Sequence, residues 1–354
     1  MSTVAVAMSG GLDSSVAAAL LLEQGREVIG VTMCLQPPGR NADMVETAAS
    51  VSRHLGIPHY VVDLRHRFET TVIADFCREY SRGRTPNPCV RCNRFIKLGT
   101  LMDWAREQGA DMLATGHYAR TEQQGERYLI KKARDVQRDQ SYFLCLLTQE
   151  QLARTLFPLG DLTREEVRDV AGRLGLPVSP AAASQEICFV PDNRHARFVQ
   201  EYTGAGGRPG PVLDRQGRVI GEHRGIAAYT IGQRRGLRIA ARGPLYVVDM
   251  DAARNTITVG SRWQLYATGL VASGLNWVSV DRPEGPIRVR ARIRYRHAEA
   301  AAVVVPGAAT QVEVTFERLQ MAITPGQAVV FYAGDMVVGG GTIDRVIPLE
   351  SPPH

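Results

Sequence analysis

The sequence contains no run of about eighteen apolar residues, so no stretch of it is expected to span a membrane as a helix. Its first residues, STVAVAMSGG, carry no basic stretch and lead directly into a motif, so a secretory leader is not expected there. Cysteine is sparse and unevenly spaced, six in 354 residues, which does not make the framework of a disulfide-stapled secreted domain. A cytoplasmic location with reduced thiols is the expectation. The lysine of G-x-x-x-x-G-K-[ST] is missing, which excludes a Walker A loop. Only one C-x-x-C occurs, Cys89 and Cys92, and no fourth ligand is placed by spacing, which argues against a zinc ribbon. No internal repeat or low-complexity tract is visible. What remains is an ordinary globular composition, 44% hydrophobic and 22% charged, in a chain long enough for two or three domains. The formal charge of +6 admits a polyanionic partner without requiring one.

Strands alternate with helices in the first half. TVAVAM, EVIGVTMCL, HYVVDL and DMLAT are short apolar runs. Between them, helical spacing covers Ser14 to Glu23, Val45 to Leu55, Phe68 to Tyr80 and Arg94 to Gln108, with Gly25, Gly56 and Gly109 as stops. That alternation predicts a doubly wound parallel sheet, whose ligands gather at the carboxyl ends of the strands. Ser9 to Ser15, Met33 and Gly116 then share one edge. Thr163 to Glu166 has capping-box spacing and opens a helix to about Leu174. Beyond Asp192 the chain becomes rich in glycine and proline, then in short alternating runs such as TITVG, QVEVTFE and AVVFYAG. Two small all-β domains are expected there, giving units at 1–193, 194–268 and 269–354.

SGGLDSS, Ser9 to Ser15, sits between a strand and a helix. Two glycines permit a tight turn and close approach of a ligand, and a helix N-terminus offers N–H groups to phosphate. The hydroxyls of Ser9, Ser14 and Ser15 add donors. Asp13 is an acid where phosphate would sit, which makes sense if Mg²⁺ lies between them. A plain glycine turn with a capping aspartate is the bland alternative.

S-G-G-x-D-S-S after the first strand resembles the PP-loop of the ATP pyrophosphatase superfamily. TPNPCVRCNRFIKLG, ATGHYAR, RDQSYFL, SQEICFVPD, YTIGQRRGL, RIRYRH and PGQAVVFY follow in that order. Together these blocks resemble the bacterial tRNA-specific 2-thiouridylase (MnmA/TrmU) family over essentially the full length. The resemblance implies a PP-loop, adenine-nucleotide-hydrolase-like catalytic domain that uses ATP and Mg²⁺. It implies adenylation of O2 of the wobble uridine, U34, and replacement of that oxygen by persulfide sulfur. The implied partners are tRNA, with Lys, Glu and Gln acceptors, and a persulfide donor, either a cysteine desulfurase or a sulfur-relay protein. Carried over by position, Cys92 is the nucleophile and Cys188 the persulfide carrier that pairs with it. ATP would meet Ala7, Met8, Ser9, Gly10, Gly11, Leu12, Asp13, Ser14, Ser15, Met33 and Gly116. Asn87, Pro88 and Cys89 surround the target base. His117, Arg138, Asp139, Gln140, Arg294, Tyr295 and Gln327 match positions that touch tRNA. Two rival functions are another PP-loop adenylating ligase, which does not need two loop cysteines, and a non-catalytic RNA-binding protein with a degenerate loop.

The chemistry supports these roles independently. Exchanging a carbonyl oxygen for sulfur needs a leaving group, a sulfur nucleophile and a second thiol, and thiolates favour positive surroundings. Cys92 has Arg91 and Arg94 beside it, whereas Cys34, Cys77 and Cys145 fall inside strand or helix patterns and read as buried structural thiols. IRVRARIRYRH places Arg288, Arg290, Arg292, Arg294 and Arg296 at period two, a stripe suited to phosphates or to cross-strand pairing with Glu313 and Glu317. The chain departs from the family pattern at Cys89, where many relatives carry an aspartate proposed as general acid/base. Either Cys89 is a thiol variant of that group, or Cys89, Cys92 and Cys188 ligate a [4Fe–4S] cluster. Gln36 is a smaller departure, at a position where relatives often have an aromatic.

Overall fold

A computed structural model describes residues 2–37, 39, 42–178, 187–190, 192, 194–204, 207–307 and 310–349. Ser184, Gln185, Glu186 and Pro191 of the SQEICFVPD block lie outside the described residues. Among the described residues, no helix is long and apolar enough to cross a membrane.

The first half folds around a five-stranded parallel sheet. Its strands are β1 (Thr3–Ala7), β2 (Glu27–Cys34), β3 (His59–Asp63), β4 (Met112–Thr115) and β7 (Thr155–Leu156), in the order β3-β2-β1-β4-β7. Val4, Ala5 and Val6 of β1 are fully buried, as a central strand covered on both faces requires. β1 pairs with β2 on one side and β4 on the other, so the strand order reverses at β1. The crevice that such a reversal opens lies at the carboxyl ends of β1 and β4. The short β7 has no clear sequence signal, since two residues carry no period.

Helix boundaries differ from expectation where a turn residue sets them. Helix α1 (Leu12–Glu23) begins before Ser14 because Gly10, at φ 68°, reverses the chain and Gly11 caps the helix. Helix α2 (Ala42–Leu55) begins before Val45. A helical run at 65–81 has a π-turn at Glu69–Ile73 between α-helical ends. A second run, 88–107, begins at Pro88 rather than Arg94, with Asn87 as N-cap and a π-turn at Asn93–Thr100. Proline at the first helical position loses no hydrogen bond and has the right φ. Cys89 and Cys92 therefore lie in a helical turn and not in a loop. The predicted capping box forms: Glu166 N donates to Thr163 Oγ1 at 3.3 Å, and Thr163 N to Glu166 Oε2 at 2.7 Å.

The second half opens with a helix at His195–Thr203, closed by Gly204 at φ 64°, so the first of the two units expected to be all-β carries a helix; the rest is built mainly of strands. β8 (Gly210–Leu213), β9 (Val219–His223), β10 (Tyr246–Asp251) and β11 (Thr256–Gly260) form a four-stranded sheet. β12 (Tyr266–Trp277), β13 (Ile287–Arg292), β14 (Ala300–Pro306), β15 (Val312–Met321), β16 (Ala328–Ala333) and β17 (Met336–Pro348) close into a six-stranded barrel through pairing of β12 with β17. A hairpin from the first half, β5 (Ala119–Gln124) and β6 (Arg127–Lys132), continues the barrel sheet, with Lys131 opposite Met336. The largest core cluster accordingly mixes Ile96, Leu101, Ile130 and Tyr142 with Val330, Tyr332 and Val337 of the barrel.

Candidate active site

The phosphate loop is shaped by the absence of side chains. A Cβ on Gly10 would come within 2.8 Å of Thr47 Cβ, so only glycine allows this turn to pack on α2. Ser9 N donates to Ser14 Oγ at 3.2 Å, and Ser15 Oγ donates to Gly11 O at 2.9 Å. The first-turn amides of α1 have no acceptor within the helix, and the dipole end is positive. Gly116, directly after β4, presses on this turn: a Cβ there would lie 2.7 Å from Asp13 C and Ser14 N. Ala7 and Met33 are half-buried against the main core, while Met8 is buried and its N–H donates to Val31 O at 2.8 Å. This cradle fits the phosphates of a nucleotide.

Asp13 is placed differently from the expectation. Its carboxylate accepts a hydrogen bond from Tyr118 Oη at 2.9 Å and pairs with the Arg164 guanidinium, whose Nε is buried without a protein partner. The acid that the sequence offered to Mg²⁺ is therefore already neutralised by the protein, and as arranged it does not fit a metal ligand. Neither Arg164 nor Tyr118 is marked by local sequence, because both reach Asp13 only through the fold.

Cys188 comes from a distant segment to lie within electrostatic reach of Cys89 and Cys92, which share one helical turn. Cys89 and Cys188 are exposed, Cys92 is buried, and all six cysteines are free. Burial pushes the Cys92 thiol up to about 12, with Lys97 opposing and Cys188 and Cys89 adding to the rise. Desolvation by the crowded protein around them also raises Cys89 and Cys188, although both residues keep surface open to solvent; Cys89 raises Cys188 further, and Lys97 opposes both. Lys97, not Arg91 or Arg94, is thus the cation that acts on the thiols. Arg91 is spent on Asp75 at 2.9 Å, and both arginines lie over the Phe95 ring at 5.1 Å. Lys97 lies in the π-turn that follows Cys92, and π-turns recur at functional sites. Asn93, next to Cys92, donates through Nδ2 to Phe143 O at 3.1 Å, while its Oδ1 is buried without a partner. Among the described residues no three His, Cys, Asp or Glu side chains are arranged to hold a metal ion, so the thiols as placed form no single-metal centre.

The positions matched to tRNA contacts divide into two groups. His117 is buried, bonded through Nδ1 to Thr115 Oγ1 at 2.7 Å, and burial together with Lys97 lowers its pKa to about 3, so its ring is neutral. Asp139 is buried, accepting from Ala133 N, Ser141 N and Ser141 Oγ at 2.9–3.2 Å, and lies 3.6 Å from Arg292. Gln140 Oε1 accepts from Tyr118 N at 2.9 Å. Gln327 Nε2 donates to Thr85 O at 2.8 Å and Pro86 O at 3.3 Å, tying the barrel to the segment before Asn87. Asn87 is the N-cap of the helix that carries Cys89 and Cys92, and the Tyr142 hydroxyl beside it donates to Ala328 O at 2.7 Å. Arg138, Arg294 and Tyr295 are half-exposed, with Tyr295 packed on Phe143 at 4.4 Å.

The arginine stripe is shorter than its period suggests. β13 ends at Arg292, so Arg294 and Arg296 lie in the following turn. Glu299, rather than Glu313, is the main partner: it takes Arg290 at 3.7 Å, Arg292 at 2.8 Å and Lys132 at 2.8 Å. Arg288 lies 3.9 Å from Glu317. Much of the stripe therefore fastens the barrel to the β5–β6 hairpin.

The family described as "tRNA methyl transferase HUP domain" matches residues 2–192, followed by its "PRC-barrel domain" at 196–261 and the "Aminomethyltransferase beta-barrel domain" at 267–343. A protein of Geotalea uraniireducens (strain Rf4), named tRNA-specific 2-thiouridylase MnmA, is 50% identical over 358 residues, covering 97% of this chain and 95% of its own. One of the same name from Heliobacterium modesticaldum is 49% identical, covering 99% and 94%. Among solved structures, the U34-tRNA thiolase NcsA from Methanococcus maripaludis, with its [4Fe-4S] cluster, is similar at 20% identity and a TM-score of 0.36. That match spans 57% of this chain and 64% of the NcsA chain, less than two thirds of its length. By near-full-length identity to these relatives, the chain belongs to the tRNA-specific 2-thiouridylase family.

Proposed function

We propose that this protein is an ATP-dependent sulfur transferase that makes 2-thiouridine at the wobble uridine of tRNA. The observation that carries the reading is the convergence of Cys92 and Cys188 within electrostatic reach of each other and of Lys97. Lys97 also acts on His117, and the adjacent Gly116 abuts the phosphate loop, so thiols and loop share one sheet edge. ATP is the co-substrate whose α-phosphorus takes uridine O2, expelling pyrophosphate. Ser9 to Ser15 hold its phosphates, and Met33 and Gly116 bound the nucleotide. The terminal sulfur of a Cys188 persulfide then attacks C2 and AMP leaves with the oxygen. Cys92 thiolate attacks the Cys188 sulfur, which releases the thiolated base and leaves a Cys92–Cys188 disulfide for an external thiol to reduce. Cys89, exposed one helical turn before Cys92, is assigned the donor side of the accompanying proton transfer. No step is assigned to an iron–sulfur cluster or to Mg²⁺ on Asp13.

The family description speaks of methyl transfer and the curated relatives of thiolation. Two coupled thiols beside a phosphate cradle favour the second, since methylation needs neither. The test is mass spectrometry of nucleosides after incubating unmodified tRNA, for example a Lys, Glu or Gln acceptor, with ATP and a persulfide donor. We expect 2-thiouridine with the wild type and with Cys77→Ala, and none with Cys92→Ser or Cys188→Ser. Activity that survives both serine substitutions would indicate another adenylating ligase. Absence of tRNA-dependent pyrophosphate release would indicate a non-catalytic RNA-binding protein.

A further inference from the structure

The net positive charge of this protein is concentrated in one small region. Residues 207–265 hold ten arginines, no lysine and four acids, an excess of +6 that equals that of the whole chain. The remaining sequence is balanced. Within this region, Arg218 pairs with Asp214 at 2.7 Å and Arg254 with Asp251 at 3.6 Å. Arg234, Arg235, Arg238 and Arg242 are all exposed, and among the described residues none of them has an ion-pair partner.

These four side chains project from a loop that is built rather than slack. Leu237 is buried with Val212, Tyr229, Val247 and Ile257, and anchors the loop in the local core. Ile239 packs over Gly221, where a Cβ would meet it at 3.2 Å. Gln233 clamps the loop entrance, accepting from Thr230 N at 3.1 Å and donating to Arg235 O at 3.0 Å. Gly232 N donates to Val247 O at 2.8 Å, and Val247 N to Gln233 O at 2.9 Å. Arg238 sits at φ 56°, an uncommon conformation for a residue with a Cβ. A cleft of about 420 Å³ runs between Arg234, Arg238, Ile239 and Gly243. With Leu237 and Ile239 packed inward, the anchored backbone of the loop leaves four arginines exposed to solvent.

The loop also lies next to the entrance of the helical run 88–107, the catalytic helix of the proposed reaction, which carries Cys89 and Cys92. Thr85 Oγ1 donates to Thr230 Oγ1 at 3.4 Å, and a Cβ on Gly83 would lie 3.4 Å from Ile226 Cδ1. The stretch 226–232 thus abuts the Gly83–Thr85 segment that leads into Asn87, Cys89 and Cys92, and the arginines begin two residues later.

We infer that Arg234, Arg235, Arg238 and Arg242 form a phosphate-gripping loop that holds the RNA backbone beside the catalytic helix. The inference rests on the tRNA reading above. It assigns the loop to backbone contact, which adds affinity and position rather than base selection. The experiment measures binding of unmodified tRNA to the full-length protein between 50 and 200 mM KCl, where each lost phosphate contact flattens log Kd against log[salt] by about 0.7–0.9. For Arg234→Gln/Arg235→Gln/Arg238→Gln/Arg242→Gln we expect the slope to fall by about 3, affinity to drop at least tenfold, and kcat at saturating tRNA to be unchanged. Should that variant fold poorly, the slope is expected to fall by about 1.5 in each of Arg234→Gln/Arg235→Gln and Arg238→Gln/Arg242→Gln. The control Arg218→Gln/Arg254→Gln, which removes two arginines already paired, is expected to lose clearly less. An unchanged slope in the loop variants, as expected if the loop serves an acidic protein instead, overturns the inference, and so does an equal loss in the control. Failure of the wild type to bind tRNA at all would fall on the underlying function instead.

Discussion

Replacing Gly326 by alanine tests whether the barrel positions the catalytic helix. Gly326 sits at φ 92°, and its N–H donates to Ile343 O at 2.8 Å. A Cβ there would meet Thr85 N at 2.9 Å and Thr85 C and O at 3.0 Å, all backbone atoms that cannot rotate away. The positive φ costs an alanine about 1–2 kcal/mol, and forcing a methyl into packed backbone costs about 1–3 kcal/mol. A total of about 2–5 kcal/mol is expected unless the Thr85 segment moves, and at roughly 2–4 °C per kcal/mol the thermal midpoint falls by about 4 °C or more. Relief by movement pushes Thr85 and Pro86 away from the barrel and carries Asn87 to Cys92 with them. A misplacement of about 1 Å at a reacting group costs on the order of 100-fold in rate. The assay pairs thermal unfolding with single-turnover thiolation of tRNA at saturating ATP. Gln327→Ala is the milder companion: it removes two hydrogen bonds to Thr85 and Pro86, worth about 1 kcal/mol each, without adding bulk. We expect slower thiolation in both variants, more so in Gly326→Ala, with ATP affinity preserved. A Gly326→Ala protein with wild-type turnover would refute the positioning argument even if it melted earlier.

Three further outcomes follow from the site. His117 has its folded-state pKa depressed from 6.5 to about 3, by burial first and Lys97 second. The unfolded chain therefore takes up a proton below pH 6.5 that the folded chain refuses, and stability falls by about 1.4 kcal/mol per pH unit toward pH 3. Urea titrations at pH 6.5 and 5 are expected to differ by about 2 kcal/mol more in the wild type than in His117→Gln. Lys97→Met removes the charge that holds the thiols down, so the rising limb of the pH–rate profile moves to higher pH, and an unmoved limb would exclude Lys97 from thiol activation. Protein freed of iron by a chelator under anaerobic conditions is expected to keep full thiolation, and loss of activity restored by iron and sulfide would reinstate the cluster.

The sequence made legible whatever is written locally. Strand β1, the glycines of SGGLDSS and the Thr163–Glu166 box all declare themselves within a few residues, through apolar runs, backbone freedom and cap chemistry. Cys92 and Cys188, the two thiols to which the proposed reaction is assigned, were singled out through their motif surroundings. What stayed hidden depends on partners far along the chain. The period of Arg288 to Arg296 could not reveal that Glu299 and Asp139 would absorb Arg292, or that the strand would stop there. Asp13 looked open to a metal because Arg164 is remote in sequence and reaches it only through the fold. Lys97 was passed over because ordinary helical spacing does not single out a residue in a π-turn. The β5–β6 hairpin escaped notice because its strands are short and polar and pair with a barrel assembled much later in the chain.

That hairpin has a consequence for how the gene can be cut. Ile130 and Tyr142 share a core with Val330, Tyr332 and Val337, and Lys132 and Asp139 share a buried charge network with Arg292 and Glu299. A chain ending after the parallel-sheet region would leave apolar faces wet and Asp139 without its cation. Swapping in a barrel from a distant relative would break the same contacts from the other side. The parallel-sheet half and the barrel are therefore expected to fold only as a pair, and substitutions at Lys132, Asp139, Arg292 and Glu299 are expected to be tolerated together more readily than singly.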